Sequence, residues 1–381
     1  MSGEDNDDGR IDRRSYLTGS AAALGALAVG PGSVVGEKKR KRAEKYREED
    51  RTTITECTTI TEPGSYELAA DLEATPAESC LEIRASDVLL DGAGYTISGT
   101  DSEGIGVSAV DVSDVAVTNL TLEGLATGIQ YEGVTDGLVA DVTIELPSVA
   151  SSGVSLVRST RCIVTQTEME GDTFGTGIRL AASNENLLTE NGIGLLNDGI
   201  ELVDSTNNGL FANEFGGNVG TNIRLDDADR NALAQNEANS GGEGIVLAAA
   251  DENWVTGNTA NANASFGIEL DGSNGNRLVG NTTNDTTADG IGLRNSNDNT
   301  LTANTATDNG ADGITLDESD DNRLSNNSAN DNLGVGYAVT DSSRNTGRGN
   351  TADGNEGGPI LIEGGQENAI EVNGVLVTED T

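Results

Sequence analysis

The chain of 381 residues contains no histidine. It therefore lacks the side chain that most often serves as a general base or metal ligand near neutral pH. From Thr52 onward there is no lysine either: that stretch holds 11 Arg against 54 Asp plus Glu, a balance of −43. Positive charge gathers instead in the segment 37–51, EKKRKRAEKYREEDR. Binding a phosphate backbone needs clustered Lys and Arg, so DNA and RNA are excluded as partners, and adhesion to an anionic membrane is disfavoured for the same reason. No segment has the long apolar run that a transmembrane helix requires. Cysteines number only three.

At ordinary ionic strength this density of negative charge pushes a compact state apart. At molar salt the Debye length falls to about 3 Å and the repulsion is mostly screened. A lysine-poor, Asp/Glu-rich surface of this kind points to a salt-loving source. Acidity alone also fits a disordered chain, but disorder does not produce the regular apolar anchors that follow.

What is present is a repeat. GIELDGSNGNRLVGNTTNDTTAD, residues 267–289, is followed by GIGLRNSNDNTLTANTATDNGAD, residues 290–312. The phrase Gly-Ile-x-Leu or a near variant places its second residue at Ile105, Ile129, Val154, Ile178, Ile200, Ile223, Ile245, Ile268, Ile291, Ile314, Tyr337 and Ile360, at steps of 22 to 25 and mostly 23. A fixed period of this length marks a solenoid. Apolar residues alternate within the phrase, as Ile268 and Leu270 flank Glu269, which is strand periodicity. Eight residues after each anchor comes an Asn (Asn186, Asn208, Asn231 through Asn368), and five further on a second Asn (Asn191, Asn213, Asn236 through Asn373). A third short strand, around Ala260, Ala306, Ala329 and Ala352, turns a small residue inward. Three strands per period make one coil of a parallel β-helix, so like residues stack into columns about 4.8 Å apart. Asn suits both the columns and the left-handed turns between strands. A Ser column runs five residues after the anchors, and Cys162 falls on the first Asn column, where it reads as a small buried filler. The fold class expected is all-β: a right-handed parallel β-helix of about 12–13 coils.

The organisation follows. Residues 1–34 contain DRRSYLTGSAAALGALAVG, whose twin arginines Arg13 and Arg14, short apolar run and small-residue site at Ala26-Leu27-Ala28 resemble a twin-arginine export signal. Residues 35–51 are a charged linker, 52–99 an N-terminal cap with the first coil, and 100–377 the β-helix repeats. The mature protein is expected outside the cell or loosely at its surface, as a monomer. Cys57 and Cys80 lie one repeat length apart in the exported part, which predicts a disulfide in an oxidising compartment, two buried thiols being the alternative. Triplets such as those at Asn119, Asn281 and Asn326 permit glycosylation, although Asn-rich repeats generate them freely.

G-I-x-L followed by N-x-L-x-x-N-T resembles the right-handed parallel β-helix repeat family, which includes pectin-lyase-like polysaccharide enzymes and NosD-type proteins of periplasmic copper handling. The opening CTTITEPGSYEL, with DVLLDGAGYTISG, looks like exported haloarchaeal members. The resemblance spans about Thr52 to Val377. It implies a fold more than an activity. The Gly-His-Gly and Tyr/Asp/His patterns of the family's enzymes do not carry over to a chain without histidine. Copper favours imidazole or soft sulfur ligands, and beyond the initiator Met169 is the only methionine.

The resemblance places substrate grooves along the outward face of the G-I-x-L strands. The substrate-binding candidates there are Arg179, Glu201, Arg224 and Glu269. Asp204 and Asp227 occupy one position on successive coils and are, with Arg224, the catalytic candidates. Carboxylates about 5–5.5 Å apart suit a retaining glycosidase and about 6.5–9.5 Å an inverting one. Asp204, Asp226 and Asp227 are alternatively a Ca²⁺ set, the one cofactor suggested. Arg179 or Arg224 could clamp a uronate carboxylate, and a lyase would need an Arg as base. The plainer reading of Arg179, Glu201 and Arg224 is a surface ion-pair ladder, worth little at high salt. The function expected is a surface or extracellular polysaccharide-binding or structural protein. A polysaccharide lyase or glycoside hydrolase, and a NosD-like accessory protein, are the alternatives.

Overall fold

The computed structural model describes residues 51–75, 78–99, 103–148, 151–171 and 174–378. The proposed export signal and all of the charged linker but Arg51 lie outside the described residues.

The described chain is all strand and turn, wound as a right-handed parallel β-helix of about 13 turns. The anchor strands form a single sheet of 14 strands, from Thr58–Ile60 to Gly358–Glu363. Ile268, Ile291 and Ile314 are direct partners in adjacent strands, as are Leu270, Leu293 and Leu316. All six are fully buried, because both residues of the alternating pair face the interior of the winding. Stacking favours the glycine that precedes most anchors: a Cβ on Gly290 would lie 2.7 Å from the Ala306 Cβ and 2.8 Å from the Gly313 carbonyl oxygen.

Left-handed corners recur at fixed places in each coil. They lie four, seven, twelve and seventeen residues after the anchor, as at Asn295, Asp298, Ala303 and Asp308 in the coil of Ile291. Each is followed at once by an inward polar residue: Ser296, Asn299, Asn304 and Asn309, each at most 1 % exposed. The chain turns at the corner, and the next side chain enters the interior to satisfy the backbone that the turn leaves unpaired. Asn236 shows the pattern. Its Oδ1 accepts from the Asn213 backbone N–H and side-chain Nδ2 at 3.1 and 2.9 Å, while its Nδ2 donates to the Leu210 carbonyl at 3.0 Å. The last of these columns, through Asn218, Asn263, Thr286, Asn309 and Asn332, is absent from the sequence reading above.

Two expectations, the first anchor and the Asn281 acceptor, need correction. The first anchor is Val107, not Ile105: Val107 pairs with Ile129, and Ile105 pairs with Thr127. In GIGVSA two Gly-apolar pairs overlap, and the second is the one buried fully. Within residues 52–99, Thr52–Ile54, Thr58–Ile60 and Gly64–Leu68 already stack in parallel on the strands above them. At the other end the chain reverses, and Val375–Val377 pairs antiparallel with Ala369–Val372. Asn281 is a buried column member whose Nδ2 is engaged by Val255 O and Asn304 Oδ1, so folding removes it as a glycan acceptor, while Asn119 and Asn326 are exposed.

Cys57 and Cys80 are joined in a disulfide that ties the first two anchor strands together. No described helix is long and apolar enough to cross a membrane.

Candidate functional site

The outward residues of the anchor strands form one in-register column: Arg179, Glu201, Arg224, Val246, Glu269, Gly292 and Thr315. All four substrate-binding candidates therefore share a face. Arg179 donates to Glu201 at 2.7 Å. Arg224 turns instead along its own strand and holds Asp226 by two bonds of 2.9 and 3.0 Å. This bidentate bond raises the Arg224 pKa above its ordinary value, against partial desolvation, and so opposes any role for Arg224 as a base.

The catalytic candidates Asp204 and Asp227 stand at left-handed corners, with φ of 49° and 47°, in the position that Ala249, Gly272, Asn295 and Glu318 fill on later coils. Aspartate tolerates that conformation better than most residues, although Ala249 and Glu318 adopt it too. Asp226 is one residue earlier, on the strand, and its carboxylate belongs to Arg224. Among the described residues no group of three Asp, Glu, Cys or His side chains converges as a metal site, so Asp204, Asp226 and Asp227 are not brought together as a calcium set.

A denser constellation lies further along the same face. Arg294 pairs with Glu269 at 3.2 Å and lies over the Phe266 ring at 5.0 Å. The ring in turn rests over Gly292, where a Cβ would meet it at 3.0 Å. One coil on, Asp289 accepts from the Thr315 hydroxyl and the Asp312 N–H, each at 2.9 Å. Burial raises the pKa of both Glu269 and Asp289; for Glu269 it outweighs the attraction of Arg294, and for Asp289 the hydrogen bonds. Two desolvated carboxyls, a guanidinium and a half-buried ring thus line a strip that includes the column's one glycine. Phe266, Asp289 and Arg294 are missing from the sequence reading because they flank the anchors and fall outside its column. The signal was a lone aromatic residue at a position that most repeats fill with a polar one. A separate depression of about 490 Å³ on the outer face of the third strands, floored by Gly192, Gly194 and Gly216, is lined by Glu168, Glu170 and Glu214, with no Arg or Lys side chain in its lining.

The profile of the family described as "Periplasmic copper-binding protein (NosD)" matches residues 86–240, 175–332 and 286–381. The chain belongs to the NosD family. No curated protein matches it in sequence. Among solved structures, the A-module of the Azotobacter vinelandii mannuronan C-5 epimerase AlgE6 superposes with a TM-score of 0.64 at 16% identity, covering 82% of this chain and 90% of that one. The periplasmic alginate epimerase AlgG gives 0.53 at 15%, covering 73% and 77%. The Dettilon tailspike protein gives 0.50 at 16%, covering 82% and 61%. At these identities the likeness is one of fold.

Copper, which the family's description names, does not fit the donors of this chain. There is no imidazole. Met169 is fully buried in the core, Cys162 is 1 % exposed, and the other two thiols form the disulfide.

Proposed function

We propose that this NosD-family rod is an exported protein of a salt-loving organism that binds polysaccharide along the outward face of its anchor strands, between Arg179 and Thr315. The observation that carries the reading is the Phe266–Arg294–Glu269 group over Gly292. An apolar ring beside oriented polar groups is the combination that a sugar, with its apolar and hydroxyl faces, requires. Structural relatives named for mannuronan and alginate epimerisation support a polymeric glycan as ligand, laid along a rod of the same fold. Strong net negative charge opposes a polyuronate at low ionic strength and ceases to do so when salt screens it. The charge pattern supports export into brine, and the twin-arginine segment supports the route.

The test is glycan binding in molar salt, on alginate-type polyuronates and on neutral glucans. The expected result is saturable binding that Phe266→Ala and Arg294→Ala weaken at least tenfold and that Asp204→Asn leaves intact. Absence of binding to every glycan, or unchanged binding by Phe266→Ala, overturns the reading. Following unsaturated products and reducing ends in the same samples covers the lyase and hydrolase alternatives.

A further inference from the structure

The last anchor strand leaves one edge of its sheet open. In earlier coils the anchor N–H points onward and meets the residue that precedes the next anchor: Ile245 donates to Gly267 O, Ile268 to Gly290 O and Ile291 to Gly313 O, at 2.9, 3.0 and 3.0 Å. Ile360 is the corresponding residue of Gly358–Glu363, which pairs with Val335–Thr340 on one side and, among the described residues, with no strand on the other. Its N–H and carbonyl, and by alternation those of Ile362, face that outer edge. The residues between them face back, as the Glu363 carbonyl does in accepting from the Asp341 N–H at 2.8 Å. Pro359 is one of these, so its missing N–H lies on the paired side and does not blunt the edge as an outward proline would.

The same end is apolar. Leu361, Val375 and Leu376 are 40 %, 61 % and 59 % exposed, and Ile360 and Ile362, packed against the end of the core, are only partly covered. The opposite end differs. Its inward Ile54 and Ile60 are 5 % and 3 % exposed, and its exposed residues between Thr52 and Glu62 are all Thr or Glu. A second copy set head to tail would therefore bury little apolar surface there, and Val375–Val377 already occupies the edge beyond Ala369–Val372.

We propose that this end joins a second copy of the chain, tail to tail, by antiparallel pairing of Gly358–Glu363 with itself. The strand is self-complementary about Leu361. A twofold axis there sets Ile360 opposite the second copy's Ile362, and each such pair exchanges both of its backbone bonds. The pairing carries one apolar interior into the other and brings the two Leu361 side chains together on the outside. Antiparallel geometry leaves the Leu361 pair without backbone bonds and its Cα atoms about 4.5 Å apart. Val375–Val377 stands one strand, about 4.8 Å, beyond its own coil. The rods therefore meet at an angle, with Val375 and Leu376 in the opening between them. Exposed Glu356, Glu363 and Glu367 crowd the same end, so like charge holds the copies apart until salt screens it. A sheet-edge contact buries little area, so the association is reversible. The monomer expected from the sequence is then the dilute or low-salt form.

The test is the mass of the full chain in solution, by sedimentation equilibrium across protein concentration, in molar salt and at lower salt. The expected result is a passage from one chain to two and no further, stronger at high salt. Leu361→Asp, at an exposed position, is expected to keep a single chain throughout, with unchanged circular dichroism and melting. Leu361→Cys is expected to form a disulfide-linked dimer under mild oxidation, because the Cα separation lies within the range that a disulfide spans. Leu333→Cys, at a position 58 % exposed on an earlier coil, is expected to form none. A single chain at every concentration and salt overturns the proposal. So does a dimer that Leu361→Asp leaves intact, or growth beyond two chains, which assigns the end to head-to-tail stacking.

Discussion

Cys162 donates its backbone N–H to Asn186 Oδ1 at 2.9 Å, the bond that each later Asn of the column makes to the next. Its sulfur lies 3.6 Å from the Val134 carbonyl, in the place where Asn186 Nδ2 donates to Ser159 O at 3.1 Å. The thiol is thus a weak stand-in for an amide at the start of a column. Cys162→Asn is expected to leave stability within about 1 kcal/mol of the parent, the typical net value of one hydrogen bond, as read from denaturation in molar salt.

In mid-column the same chemistry is costly to lose. Asn236→Ala removes the acceptor for two Asn213 donors and the donor to Leu210 O. Leaving buried groups unpaired costs about 1–3 kcal/mol each, so a loss of about 3 kcal/mol is expected. In a solenoid the damage is local, and hydrogen exchange is expected to accelerate first in the coils of Ile200 and Ile223.

Cys57–Cys80 closes a loop of about 23 residues, for which chain entropy suggests about 3 kcal/mol. Reduction, or Cys57→Ala, is expected to fray Thr52–Ile54 and Thr58–Ile60 while the coils beyond Val107 keep their protection. Proteolysis confined to the N-terminal end, followed by mass spectrometry, checks this.

Burial raises the pKa of Glu269 and Asp289 in the folded state, so the native protein holds these protons more tightly than the unfolded chain does. Their contribution to stability is complete below the ordinary carboxyl range and is lost as pH rises through the raised folded values. Glu269→Gln is expected to flatten that loss. Its stability relative to the parent should rise with pH through the mildly acidic range and level off above it, measured by melting at constant molar salt.

Metal removal should change little. No described group of three acidic side chains converges, and the sulfur ligands among the described residues are buried or oxidised. Prolonged chelation is expected to leave the melting temperature unchanged at fixed ionic strength, and elemental analysis after dialysis against calcium or copper to find less than one equivalent bound.

Most of the winding was legible because each position of a parallel coil has one neighbour above and one below, which forces columns of like residues onto the sequence. Legibility failed where columns are interrupted. Gly241 and Thr286 break the last inward column, and GIGVSA offers two anchors two residues apart. The face of Arg179, Glu201, Arg224 and Glu269 followed from alternation alone. Asp204 and Asp227 repeat on adjacent coils at left-handed corners, a backbone feature that the sequence pattern does not display. Phe266 and Arg294 meet across coils from positions flanking different anchors, a relationship in three dimensions that no column displays.

The antiparallel return of Val375–Val377 on Ala369–Val372 has a consequence for growth. Every coil before it offers the next an identical seam, so nothing within the repeats limits how long such a polymer of its own segments could become. A strand running backwards presents its donors and acceptors out of step with any further winding. The reversal thereby blocks a further coil along the edge of the sheet to which Ala369–Val372 belongs.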